Sequence, residues 1–305
     1  MSEESDSLRT SPSVALLSEN ELLPAPEPLG YVCSLTEELV TKAKEELQEK
    51  PEWRLRDVQA LRDMVRKEYP NLSTSLDDAF LLRFLRARKF DYDRALQLLV
   101  NYHSCRRSWP EVFNNLKPSA LKDVLASGFL TVLPHTDPRG CHILCIRPDR
   151  WIPSSYPITE NIRAIYLTLE KLIQSEETQV NGIVILADYK GVSLSKASHF
   201  GPFIAKKVIG ILQFFLHGSD LNSLHTNLPR SILPKEYGGT AGELDITAWN
   251  EVLLASEEVF VREFCQPVPA CDSILGEALL PEGLTSDAQC DDSMRAMKSQ
   301  LYSCY

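Results

Sequence analysis

The spacing of apolar residues changes once along this chain, near residue 113. Before that point apolar residues recur every three to four positions, which is the period of an amphipathic α-helix. After it, short apolar runs alternate with helical stretches, and strand–helix alternation is typical of an α/β layer architecture. The sequence therefore predicts a helical unit at residues 34–113 and an α/β domain at residues 117–245.

Four helices are expected in the helical unit. Ser34 and Glu37 have the spacing of a capping box that would open the first helix, and Pro51 would stop it. The other three are predicted to begin, in chain order, at about Arg54, at Ser75 with Asp78, and at Asp91.

The second region begins with a predicted hairpin. Two β-like runs, 128–133 and 141–147, flank a turn at 136–140 that contains Pro and Gly. Thr159 can cap an amphipathic helix over about 160–175. The run that follows, from Gly182 to Tyr189, is continuously apolar, as in a central strand that is buried on both faces. Helical patterns at 194–213 and 246–264 follow.

The formal net charge of −10 is concentrated at the two ends of the chain. Residues 1–50 carry eleven acidic and four basic residues, and residues 266–305 carry six acidic and two basic ones, which leaves the middle near neutral. Residues 1–30 are expected to be a disordered acidic N-terminus, and 266–305 an acidic flexible tail. The overall negative charge disfavours general nucleic-acid binding but permits a local basic face.

No targeting signal is recognisable, which predicts a cytoplasmic protein. The first residues are acidic and polar, without the basic and apolar segments of a secretory signal. The longest apolar-rich run, 208–216, is too short to cross a bilayer.

The motifs of common enzymes are missing, and no catalytic residue, metal site or cofactor is expected. The sequence contains no GxSxG, GxxxxGK[ST], HExxH or GxGxxG pattern. Asp188 is the best single catalytic candidate, because ligands of open α/β sheets gather at the carboxyl ends of strands. No nucleophile or metal ligand accompanies it, so a structural, hydrogen-bonded role is favoured. The glycines at 238–239 lie in a loop without the preceding strand that a phosphate-binding turn needs.

The segment 81–99 combines an apolar stripe with a basic face. It is open to two interpretations: an ordinary amphipathic helix with a solvated basic face, or a site where arginine forks bind an anionic headgroup. The basic residues are Arg83, Arg86, Arg88, Lys89 and Arg94.

Four motifs, and their order along the chain, resemble those of the CRAL-TRIO lipid-transfer family. The resemblance is strongest to the tocopherol-transfer and retinaldehyde-binding branch of that family. The resemblance spans about residues 50–245. The motifs are LLRFLRARKFD from Leu81, Asp137-Pro138-x-Gly140, Asn181-Gly182-IVILAD, and ILPKEYGG at 232–239.

The resemblance implies a helical N-terminal unit followed by an α/β bowl with a mainly parallel sheet, which holds one hydrophobic ligand. It further implies a non-enzymatic carrier of a tocopherol-, retinoid- or lipid-like molecule that makes peripheral contact with phosphoinositide-containing membranes. Arg88 matches a phosphoinositide-binding position. By the same analogy the bowl would be lined by Ile162, Ile165, Leu169, Ile183, Phe200, Val208, Ile211 and Leu212, for each of which plain core packing is the alternative.

The chain departs from the family pattern between Gln213 and Phe214. No Gly, Pro, Asn or Asp separates the helical pattern from the next β-like run, which is unusual for such a connection. In the family, several dozen residues at this place form a sheet strand and the lid helix. The chain is therefore interpreted as a shortened, spliced form. The alternative function is a protein- or membrane-interaction module with weak or no ligand binding.

Overall fold

The computed structural model describes residues 31–193, Lys196 and residues 221–265. The expected disordered N-terminus at 1–30 and tail at 266–305 lie outside the described residues. So do the helix expected at 194–213, apart from Lys196, and the junction between Gln213 and Phe214.

All four helices expected in the N-terminal unit are present. The helices are α1 Glu37–Leu47, α2 Arg54–Glu68, α3 Asp78–Ala87, α4 Tyr92–Ser108 and the short α5 Pro110–Phe113. α1 and α4 begin at side-chain caps, whereas α2 and α3 have none, and the Ser75 hydroxyl accepts a hydrogen bond from the Asp77 amide just before α3.

The cap of the first helix also differs from the prediction. The Thr36 hydroxyl accepts a hydrogen bond from the Leu39 amide at 3.3 Å, whereas Ser34 donates its hydroxyl to Glu176 at 2.7 Å. Ser34 therefore binds a residue that is distant in sequence, and Thr36 takes the N-cap position that the capping box predicted for Ser34.

The described residues form a three-stranded mixed sheet in the order β1-β2-β3. The strands are β1 Leu130–Val132, β2 His142–Ile146 and β3 Ile183–Ala187. β1 and β2 form the expected antiparallel hairpin, and β3 runs parallel to β2. The mainly parallel sheet that the resemblance implied is thus half antiparallel here, because consecutive strands joined by a short turn must pair in that way.

β3 is less buried than its apolar sequence predicts. Only Ile183 is buried, and the residues from Val184 to Ala187 are half-buried. Within the described part of the chain β3 pairs with β2 alone, so its other edge is not covered there. The prediction of a strand buried on both faces is therefore wrong for most of its length.

The sheet separates two hydrophobic clusters. On one face Leu144 and Ile183 pack with α7 (Ile158–Leu172) and with the C-terminal helices. On the other face Ile143 and Cys145 pack against Leu224 and the segment at 232–237. The remaining helices are α6 Lys122–Ala126, α8 Glu176–Asn181, α9 Leu221–Asn227, α10 Thr247–Leu254 and α11 Glu257–Phe264.

Two further helix predictions need correction. α7 begins at Ile158 after Pro157, without a side-chain cap, so Thr159 is not its N-cap. The single helix expected at 246–264 is two helices, because the Ser256 hydroxyl donates to the Val252 carbonyl at 2.8 Å where the chain turns. No helix in the described ranges is long and apolar enough to cross a membrane.

Candidate functional site

α7 presents one apolar side, which carries the first three residues of the candidate ligand wall. Leu169 is 8% exposed and lies in the same hydrophobic cluster as Ile183, which is 3% exposed. Ile162 and Ile165 are half-buried and pack against that cluster. The structure thus brings these four predicted residues together, and their role as a ligand wall stays a prediction. The other four, Phe200, Val208, Ile211 and Leu212, lie outside the described residues.

α7 also carries a buried arginine, Arg163, about half a turn of the helix away from Ile165. Its guanidinium donates hydrogen bonds to four backbone carbonyls at the end of α5, at distances of 2.9 to 3.2 Å. Carbonyls at the end of a helix have no partner within the helix and carry partial negative charge, so a buried arginine is a favourable partner. Arg163 thereby fixes α7 to the end of the helical unit.

A buried ion pair fastens α7 to α3. Arg83 Nη1 lies 3.3 Å from Glu170 Oε2, and the Arg83 guanidinium carbon lies 4.2 Å from the centroid of the Phe80 ring. Both charged side chains are almost completely buried. The pair leaves the apolar side of α7 facing the sheet.

Arg86 is the centre of a larger buried network. Its Nε and Nη2 donate to the two carboxylate oxygens of Glu49 at 2.8 and 2.9 Å, and its Nη1 donates to Glu176 and Gln179 at 2.9 and 2.8 Å. Arg54 also donates to Glu49, at 2.6 Å. Arg86 is 1% and Glu49 0% exposed. The network joins α2, α3 and α8, and hence the helical unit to the α/β domain.

These contacts change the interpretation of the basic segment. Arg83 and Arg86 are buried in ion pairs, so neither belongs to a solvated face. Arg88 is half-buried, and Lys89 and Arg94 are exposed. These last three are the basic residues of the segment that lie at the protein surface.

The turn after α3 holds Lys89 and Phe90 in an unusual backbone conformation. Lys89 and Phe90 have φ angles of 51° and 60°, in the left-handed region that side chains other than glycine avoid. The Phe90 amide donates to the Leu85 carbonyl at 2.8 Å, which closes the helix end. Consecutive left-handed residues cost about 1–2 kcal/mol each, so the surrounding packing must stabilise this turn.

Asp188 has a local structural role. Its Oδ1 accepts a hydrogen bond from the Lys190 amide at 2.9 Å, and its own amide donates to the Ile146 carbonyl at 2.8 Å. It ends β3 and begins the following turn. Across the described residues, no group of three His, Cys, Asp or Glu side chains is placed to hold a metal ion.

Two family models match the two halves of this arrangement. A model described as "CRAL/TRIO, N-terminal domain" matches residues 37–101, and one described as "CRAL/TRIO domain" matches residues 126–214. Together they cover α1 to α3, most of α4, the three strands and α7.

The chain belongs to the CRAL-TRIO family.

CRAL-TRIO relatives are found at high and moderate identity. "Alpha-tocopherol transfer protein-like" of Homo sapiens is 83% identical over 342 aligned positions that cover all of both chains. The mouse protein of the same name is 81% identical over 343 positions. "Clavesin-1" of Rattus norvegicus is 34% identical and covers 73% of this chain and 74% of its own. The human alignment has 342 positions against 305 residues here, so at least 37 of them have no counterpart in this chain.

CRAL-TRIO domains bind hydrophobic lipid ligands, and proteins of this carrier family are generally not enzymes. The expectation of a non-enzymatic lipid-binding protein is therefore confirmed by the family.

The ILPKEYGG segment at 232–239 makes packing contacts. The Tyr237 hydroxyl lies 3.3 Å from Cys145 Sγ under the sheet, and Arg230 Nε donates to the Gly238 carbonyl at 2.8 Å.

Sequence reasoning missed the acidic partners of the buried arginines. Glu49, Glu170 and Glu176 lie 37 to 90 residues from Arg83 and Arg86 along the chain. No local pattern links residues at such separations, and no sequence signal would have paired them.

Proposed function

We propose that this protein is a cytoplasmic carrier that binds one hydrophobic molecule and exchanges it at phosphoinositide-containing membranes. The observation that supports it best is the two-sided α7: Arg163 and Glu170 anchor one side, while Ile162 and Ile165 on the other are not fully buried. An apolar surface held rigidly beside a sheet is a suitable wall for a lipid.

The hydrophobic effect supplies the driving force for carriage. Each methylene removed from water gains about 0.8 kcal/mol, so a tail of about a dozen methylenes gains about 10 kcal/mol inside an apolar cavity. The human and mouse relatives described above are named for tocopherol transfer, and a tocopherol-, retinoid- or phospholipid-like ligand fits this wall. An aliphatic wall discriminates poorly among such molecules.

A shortened bowl with weak binding is the second candidate, and two findings favour it. At least 37 positions of the human alignment have no counterpart in this chain, and the match to the CRAL/TRIO model ends at residue 214, beside the junction of Gln213 and Phe214. Loss of a lid that covers a third of the ligand would cost about 3 kcal/mol, or roughly a hundredfold in affinity. The protein would then act as an interaction module.

Native mass spectrometry distinguishes the two candidates. We expect the chain purified from eukaryotic cells to carry a stoichiometric lipid adduct. Ile165→Asn should reduce the adduct roughly tenfold, because a polar amide on the wall costs about 1–3 kcal/mol when it is buried without a partner. The same change at Ile152, which is 51% exposed, is the matched control. A monodisperse chain without an adduct would overturn the carrier and favour the interaction module.

Membrane contact through Arg88 is tested by sedimentation with vesicles that contain a phosphoinositide. We expect Arg88→Gln to weaken binding about tenfold, because a charge-assisted hydrogen bond contributes about 1.5–3 kcal/mol. Arg66→Gln removes an exposed arginine of α2 and is the control. Equal losses in both variants would indicate attraction by overall charge and would contradict a site at Arg88.

A further inference from the structure

A cavity lies between the helical unit and the C-terminal end of α7. It has a volume of about 850 Å³ and is bounded by the loop at 72–77, by α3 and α4, by the chain from the end of α7 into α8, and by α11. Its size is that of a pocket for a small molecule. Of the described residues predicted to line the lipid bowl, Ile162, Ile165, Leu169 and Ile183, none borders it, and neither does Arg88.

Four arginines line this cavity, and two of them are held in place by the protein. Arg106 lies over the Phe264 ring, with its guanidinium carbon 4.1 Å from the centroid, and donates to the Glu263 carbonyl at 2.7 Å and to the Tyr102 hydroxyl at 3.2 Å. Arg83 is fixed by Glu170 and Phe80, as described above. Arg107 and Arg262 complete the set. Guanidinium groups that are already oriented lose little entropy when they bind an anion.

The carboxylates of the lining do not cancel this charge. Asp77, Glu176 and Glu263 border the cavity, but Glu176 is already bound to Arg86 at 2.9 Å. Arg83 is likewise paired with Glu170, so the lining carries three further arginines against the carboxylates of Asp77 and Glu263. A ligand with one or two phosphate groups fits this balance better than a large polyanion.

The pKa of a histidine in the lining is lowered in part by the charges of the same arginines. Burial, and then the charges of Arg106, Arg83 and Arg107, lower the pKa of His103 to about 3. The ring is thus neutral near pH 7, and its Nε2 shares a hydrogen bond of 2.8 Å with the Thr74 hydroxyl. Ser73 and Ser75 place two more hydroxyl groups at the cavity.

We propose that this cavity is a binding site for a small molecule with one or two phosphomonoester groups, either dissolved or as a lipid headgroup. The arginine forks would bind the phosphate oxygens in pairs, and the Ser73 hydroxyl would donate to them. The site is independent of the lipid wall and of Arg88, so it does not rest on the proposed carrier function.

Calorimetric titration of the full chain with myo-inositol 1,4-bisphosphate tests the site. The expected result is binding of one molecule that Arg107→Gln and Arg262→Gln each weaken at least tenfold. Arg262 is exposed, so its variant keeps the test valid if the other fails to fold. Arg66→Gln is the control and should leave the affinity unchanged, because Arg66 is exposed on α2. No binding by the unaltered chain, or an equal loss in the control, would overturn the proposal.

Vesicles that contain phosphatidylinositol 4-phosphate identify the source of the phosphate. Sedimentation that depends on Arg107 and Arg262 would support a lipid headgroup in the cavity. Sedimentation that is unaffected by them, together with calorimetric binding that needs both, would support a dissolved ligand. If neither assay responds to these two arginines, the cavity is not a phosphate site.

Discussion

Arg86→Met is expected to lower the free energy of unfolding by about 3 kcal/mol, at the lower end of the 3–5 kcal/mol typical when one partner of a buried ion pair is removed. Methionine has a similar length but offers nothing to the two oxygens of Glu49 that Arg86 binds at 2.8 and 2.9 Å. Because Arg54 still donates to Glu49 and Ser34 to Glu176, neither carboxylate is left entirely without a donor. This places the expected loss near the lower limit.

Urea unfolding monitored by circular dichroism measures the change. Arg66→Met is the matched control, because Arg66 is 59% exposed and lies 3.8 Å from Asp63 at the surface, where ion pairs contribute little. Arg86→Lys should recover only a small part of the stability, since an ammonium group cannot bind both oxygens of Glu49 as a fork does. Similar losses for Arg86→Met and Arg66→Met would show that the network does not hold the two parts together.

Gly239→Ala is expected to destabilise the protein by more than about 3 kcal/mol. A Cβ at this position would lie 1.8 Å from the Leu233 carbonyl oxygen and 2.3 Å from its carbon. Both atoms belong to the backbone and cannot rotate away. The Gly239 amide also donates to the Pro234 carbonyl at 3.0 Å, so relief of the clash must open the turn that buries Leu233 and Tyr237 under the sheet.

Thermal unfolding distinguishes this clash from a general cost of losing a glycine. Gly242 has a φ of +100°, and a Cβ added there would meet no atom within 4 Å, so Gly242→Ala should cost only the backbone strain of about 1–3 kcal/mol. We expect the lower melting temperature for Gly239→Ala. A smaller loss there than for Gly242→Ala would mean that the turn at 232–239 adapts to the added methyl group.

Helices and the hairpin could be predicted because their causes are local. Asp91 caps α4 by accepting from the Arg94 amide at 3.1 Å, three residues away, and the hairpin follows from two apolar runs around one turn. The errors at Ser34 and in the helix expected at 246–264 have tertiary or side-chain causes. Ser34 bonds Glu176, 142 residues away, and Ser256 turns the chain between α10 and α11.

The candidate site could be predicted only in part. The apolar spacing of Ile162, Ile165 and Leu169 placed them on one side of α7, which the structure bears out, but periodicity cannot distinguish the wall of a cavity from a core. The polar cavity was not predicted at all. Its lining comes from segments between Leu72 and Phe264, and the approach of Arg83 and Arg262 is a property of the folded chain.

By itself, the sequence determined α1 to α4, the three strands, the CRAL-TRIO family and the apolar side of α7, because these depend on residues a few positions apart or on contiguous motifs. The tertiary structure alone decided which basic residues of the 81–99 segment are internal and which are exposed. Arg86 and Arg88 are chemically identical and two residues apart, yet Arg86 is buried against Glu49 while Arg88 lies at the helix end. The difference arises from long-range packing, because a charge is stable inside a protein only where distant parts of the chain supply its partners.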